Sequence, residues 1–201
     1  MKRIITLALI GLLLLCGACA QPAPPASTTQ PPEPPEPGSP VLAVSFDYQR
    51  QSGSASNQFA VWIEDMEGNL VKTLAATAYT AKGGYKVRPD SISTWVGKAL
   101  DVSDFDAVAT ATPRKNTTFT CTWDGLDETG NAVPPGTYRF VVEGTLRWKN
   151  YVLYTGLLDF SGESAQGVPE FFFAGEGRQP ALDEDAPECG MITNVKAEYI
   201  A

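Results

Sequence analysis

Acid–base chemistry, nucleophilic attack and metal binding each need particular side chains, and this chain is short of them. Its 201 residues include no histidine. That excludes Ser–His–Asp and Cys–His systems, histidine general bases and histidine zinc sites. Past the N-terminal segment only Cys121 and Cys189 remain. They form no CxxC pair, so neither a redox motif nor a cysteine metal site is indicated. An even pair outside the cytoplasm is a candidate disulfide, Cys121–Cys189. Asp183, Glu184, Asp185 and Glu188 are the densest acids, but they lack the alternation and central glycine of a calcium loop and read as a solvated loop. Asp124, Asp127 and Glu128 read as turn formers. No carboxylate pair stands out as acid and base for glycoside hydrolysis. Trp62, Trp95, Trp123 and Trp148 could stack on sugars, but at alternating or helical spacing they are expected in a core. No metal site and no catalytic residue is assigned.

The opening residues determine where the domain is placed. Lys2-Arg3 precedes an apolar run from Ile4 to Leu15, too short to span a bilayer, and small residues close it. Residues 1–18 therefore read as a signal peptide. Leu15-Cys16-Gly17-Ala18-Cys19 resembles the lipobox of bacterial lipoproteins, which implies lipidation of Cys19. Ala18-Cys19-Ala20 also suits ordinary signal peptidase, and lipidation is the preferred route because a tether follows. Residues 20–40 hold nine of the sixteen prolines, favouring an extended polyproline conformation. At about 3.1 Å per residue this linker, 19–40 with its cysteine, could hold a domain some 60 Å from a membrane. The formal charge is −8, and loss of residues 1–18 removes two cations and no acid, leaving −10. Such a chain is no nucleic-acid binder, and anionic lipid would not hold it electrostatically. The expected contacts are the membrane through the lipid and an envelope protein partner.

Residues 41–201 alternate like one β-rich domain. Leu42, Val44, Phe46 and Tyr48 share a face, as do Phe59, Val61 and Ile63. Asp65-Met66-Glu67-Gly68-Asn69 supplies a turn before a strand at 70–74. Phe119, Cys121 and Trp123 mark another strand. Tyr138, Phe140, Val142, Leu146 and Trp148 face one way in the longest, with Arg139, Glu143, Thr145 and Arg147 opposite. Residues 151–160, 171–173 and 191–200 complete the set. One helix is expected, capped by Asp90-Ser91 and carrying Ile92, Trp95, Val96 and Leu100. Segments 75–87 and 161–188 read as long loops. The pattern predicts an all-β antiparallel sandwich with one short helix.

Two blocks carry a family resemblance. Val61–Asp65 through Gly68–Leu74 is the first, and Trp123-Asp124-Gly125-Leu126-Asp127 through Gly130-Asn131-Ala132-Val133-Pro134-Pro135-Gly136-Thr137-Tyr138 is the second. Together they resemble the immunoglobulin-like domain of flagellar hook-capping proteins. With Ser91–Trp95, Asp106–Pro113, Glu143 and Arg147 between and after them, the order is similar to a bacterial family of predicted periplasmic proteins of unknown function, domain of unknown function 2271. The resemblance spans about residues 57–150. It implies an exported, Ig-like domain and no assigned activity.

One stretch within it can carry chemistry. The family's form at 106–112 is close to D-A-V-[ST]-G-A-T, which resembles the pattern at which extracytoplasmic flavin transferases join FMN to threonine through a phosphoester. Asp106, Ala111 and Thr112 match, with Thr112 as acceptor. Ala109 stands for the Ser/Thr and Thr110 for the glycine, whose positive φ threonine does not readily adopt. The structural alternative, a strand end or packed loop, is preferred. Two functions follow. The first is a non-enzymatic, membrane-tethered binding or scaffolding module without cofactor, and the second is a redox carrier with covalent FMN on Thr112.

Overall fold

A computed structural model of the chain describes residues 41–52, 57–147, 150–160, 166–167, 170–174, 180–181 and 190–200. The strands are β1 Val41–Tyr48, β2 Gln58–Glu64, β3 Leu70–Thr77, β4 Ala109–Thr110, β5 Thr117–Trp123 and β6 Gly136–Arg147. They continue as β7 Asn150–Phe160, β8 Gln166–Gly167, β9 Glu170–Ala174, β10 Pro180–Ala181 and β11 Ile192–Ile200. Three short helices, α1 Ala78–Ala81, α2 Ser93–Ala99 and α3 Phe105–Val108, lie between β3 and β4, with a 3-10 turn at Gly84–Lys86. The smaller sheet has the order β5-β1-β11-β8 and the larger β10-β9-β7-β6-β2-β3-β4. This is the expected all-β sandwich.

Period-two alternation builds the space between the sheets. Leu42, Val44, Phe46 and Tyr48 of β1 are buried against Phe59, Val61, Phe140 and Val142 of β2 and β6. Phe59 meets Phe46 at 5.3 Å and Phe119 at 4.8 Å between ring centroids. Trp123 stacks on Phe160 at 4.8 Å, and its indole N–H donates to the Leu126 carbonyl. Each large apolar side chain so buried stabilises by about 1.5–3 kcal/mol.

A second apolar layer lies on the opposite face of the larger sheet. Ala60, Trp62 and Val141 pack there against Ile92, Trp95 and Ala99. Every residue of β2 is consequently buried, on both faces. Three sequence expectations change here. Residues 75–77 extend β3 and 78–86 coil, where a loop was expected. Several short helices replace the single one. The connection from Thr77 to Ala109 is long enough to cross over, so β4 joins β3 in parallel, whereas the other strand pairs run antiparallel.

Glycine is required where the second motif block turns. Gly125 has φ +78° and a Cβ there would run into the Phe160 ring, whereas Gly130, at φ +84°, has open space beside it. Gly125→Ala is expected to cost about 1–3 kcal/mol from overpacking together with the left-handed backbone. Gly130→Ala carries only the backbone term, about 1 kcal/mol. Urea denaturation of both variants checks the order.

Candidate functional site

The two motif blocks, separated by almost fifty residues of chain, close on each other. Glu128 donates its backbone N–H to the Val71 carbonyl at 2.9 Å and accepts from the Thr73 N–H at 2.8 Å. Lys72 Nζ donates to the Asp127 carbonyl at 2.9 Å. The turn itself is held by Asp127, whose Oδ1 accepts from the N–H groups of Thr129 and Asn131 and from the Thr129 hydroxyl. Burial pushes the Asp127 carboxyl up, but these hydrogen bonds outweigh it and hold it below its ordinary range. Asp65 is treated alike in the first block by Asn69, which donates from N and Nδ2 at 2.7 Å each. Asp127 and Glu128 thus form turns, as expected, and Asp124 does the same through Leu126 N–H.

Further glutamates hold the helical layer. Glu143 is fully buried on β6, and its carboxylate accepts from Trp95 N–H at 2.9 Å and Thr94 N–H at 3.1 Å. It therefore caps α2 from a distant strand. Asp90-Ser91, the expected local cap, does other work. The Ser91 hydroxyl bonds Thr80, and the Asp90 carbonyl accepts from Thr145. Ile92 enters α2 at φ +42°, an unusual value for a β-branched residue, with its N–H held by Thr145 Oγ1 at 2.6 Å. Glu64 accepts from the Trp62 indole at 2.7 Å and pairs with Lys98 at 3.0 Å and Arg139 at 3.4 Å. Glu128 also accepts from Ser103, which bonds Thr73, and Thr73 accepts from the Trp95 indole at 3.1 Å. Trp62, Trp95 and Trp123 are buried, so their faces are part of the core and cannot stack on a sugar.

The clasped blocks wall two grooves. One, of about 600 Å³, has Leu70, Val71, Val102, Val133 and Tyr138 as its apolar wall, with Asp65, Asp101, Asp127 and Glu128 around them. The other, of about 480 Å³, lies across Glu128 toward Lys72, Asp104, Ala107 and Asp124. Sequence reasoning missed these walls because residues near 65–71, 101–102 and 127–138 meet only in space. The sequence signal for them was faint: an apolar Val102 in the polar run Asp101–Asp104.

The expected modification stretch forms the edge of the larger sheet. Asp104 caps α3 by accepting from the N–H groups of Asp106 and Ala107. Asp106 and Ala111 are exposed and Thr112 half-buried. Thr110 lies extended in β4 beside Thr77, in place of a glycine turn. Neither groove is lined by Thr112. Arg50 reaches this loop, donating from Nη1 to the Pro113 carbonyl and from its backbone N–H to Asn116. Arg114 and Lys115 follow it, exposed. Cys121 packs its thiol near the Val44 carbonyl, and burial pushes it up to about 12. Cys189, Cys19 and the acids at 183–188 lie outside the described residues. Among the described residues no group of three His, Cys, Asp or Glu side chains is placed to hold a metal.

The arrangement of motif blocks around β2, β3 and β6 is matched by a family model described as predicted periplasmic protein (DUF2271), over residues 42–170. The chain belongs to this family. It is an exported protein, and the family carries no assigned function. No curated protein and no solved structure matches it. In this DUF2271 member the family region covers both motif blocks, the helical layer and Glu143.

Glu143 gives a pH test. Burial raises its carboxyl from 4.5 to about 7, against the N–H groups of Trp95 and Thr94, which pull it down. A carboxyl raised on folding favours the fold fully below its unfolded value, and loses that contribution as pH rises through the folded one. Between pH 4.5 and about 7 the wild type should lose stability relative to Glu143→Gln. Thermal melts of both proteins across that range measure the difference, and parallel curves would refute it. Glu143→Ala, which orphans two N–H groups and leaves a cavity, should cost about 2–4 kcal/mol throughout.

Proposed function

We propose that this chain is a lipid-tethered, non-enzymatic binding module of the cell envelope. One contrast carries the proposal. Glu64 and Glu143 are engaged in holding the fold, while the 600 Å³ groove between the motif blocks stands open. A volume of that size is typical of ligand sites. The leader, Cys19 and the Pro-rich tether support presentation of the domain at a membrane surface, where it would scaffold an envelope partner.

A second function rests on a separate observation. Thr112 sits on an edge loop, its hydroxyl without a hydrogen bond among the described residues; Arg50 bonds the carbonyl of the next residue, Pro113, and exposed Arg114 and Lys115 follow in the chain. That placement suits attachment of FMN by a phosphoester: the threonine oxygen attacks the FMN phosphorus of a flavin dinucleotide, the pyrophosphate bond breaks, and the nucleoside monophosphate leaves with the hydroxyl proton. The three cations would face the phosphate, and the flavin would supply the redox chemistry. Thr112 lines neither groove, although Ala107 and Val108 of the same stretch line the smaller one.

Intact mass and a visible spectrum of the protein from its host's membranes separate the two. The binding module predicts a diacylglyceryl adduct on Cys19 and no chromophore. A yellow protein carrying FMN on Thr112, lost in Thr112→Ala, would overturn it in favour of the carrier. A chain cut by ordinary signal peptidase, with no lipid, would remove the tether.

A further inference from the structure

The open groove between the motif blocks has a definite chemical character. Its wall is aliphatic and aromatic, from Leu70, Val71, Val102, Val133 and Tyr138. Four acids stand around that wall, Asp65, Asp101, Asp127 and Glu128, and no Lys or Arg lines it. None of the four makes an ion pair among the described residues, where the pairs found are those of Glu64 with Lys98 and Arg139. Their field reaches across the groove. After burial, the charge of Asp65 is what raises the Tyr138 phenol.

Exposed apolar side chains gather on the same segments. Val102 is 56% exposed, Leu100 50% and Met66 45%, and each lies in or beside a stretch that walls the groove. An exposed valine between Asp101 and Ser103 contributes nothing to the core, whereas at the lip of a groove it offers contact area. Three of the four acids are also fixed in place. Asp65 and Asp127 are clamped by their own turns, and Glu128 by Thr73 and Ser103, so little ordering remains for binding to cost.

We propose that this groove binds a peptide segment in which Lys or Arg alternates with apolar side chains. The inference rests on the binding-module function and names its partner class. Charge complementarity selects the cation, and the aliphatic wall requires apolar groups beside it. A bare divalent cation would leave the wall uncovered, and the acids do not converge into a ligand set. An acidic peptide or a nucleic acid meets repulsion on every side.

The test uses the full chain in detergent and three capped, fluorescently labelled heptapeptides. One alternates leucine with lysine, the second leucine with glutamate, and the third serine with lysine. Fluorescence anisotropy should show the leucine–lysine peptide binding at least about tenfold more tightly than either other. Salt at about 0.5 M should weaken it. Val102→Lys, at the lip, should weaken it by about tenfold or more. Val87→Lys, at an exposed apolar site 79% open and outside the groove lining, should leave it unchanged.

Equal affinity for the two variants would place the site elsewhere and overturn the groove assignment while leaving a binding module. No preference among the three peptides would overturn the partner class. Flavin found on Thr112 in the host protein would instead strike the underlying function, and the peptide results would not bear on it.

Discussion

The carboxylate of Glu143 joins the two halves of this molecule. It lies on the face of β6 turned away from the sandwich core and accepts the first amides of α2. Without that acceptor α2 has no cap, since Ile92 at its entry offers none and Ser91 is bonded elsewhere. Seating α2 places Trp95 on the sheet. Trp95 donates to Thr73, Thr73 bonds Ser103, and Ser103 bonds Glu128. Glu128 in turn holds the second motif block against the first. The groove walls are therefore the far end of a chain of hydrogen bonds that begins at one buried acid. Burial of a charge is costly, and here two backbone donors offset part of that cost, which is why the group stays acidic only with difficulty.

Electrostatics give the molecule two unlike regions. Acids crowd the groove between the motif blocks, while Arg50, Arg114 and Lys115 gather on the edge loop after β4. In a chain with net charge −8 the second region departs from the average. A negative field at the groove excludes anions and concentrates cations, and the basic loop does the reverse.

Family membership and fold agree on an exported domain whose motif residues maintain architecture. Asp65, Gly68, Asp127 and Gly130 make turns, and Asp124 and Gly125 start the second block under the Phe160 ring. Among the described residues, the side-chain hydrogen bonds from the second motif block to the rest of the chain are those of Glu128, to Thr73 and Ser103. Asp101 and Val102, which also line the groove, lie outside the motifs in the crossover between β3 and β4.

The sequence alone is enough for the sandwich class, for β1, β2, β5, β6, β7 and the first part of β3, for both motif turns and for the absence of histidine chemistry. These are local matters: period-two burial, glycine at positive φ and composition all act within a few residues. It did not reveal that β2 is buried on both faces, because Ala60 and Trp62 look like an outer face until a helix covers them. It assigned the α2 cap to its neighbours Asp90 and Ser91, whereas the acceptor lies about fifty residues on, at Glu143. It placed Thr112 in a family pattern but not at a sheet edge that Arg50 reaches from the end of β1. The groove was decided by tertiary structure alone, because its walls come from three separated segments whose meeting depends on long-range hydrogen bonds that no local spacing records.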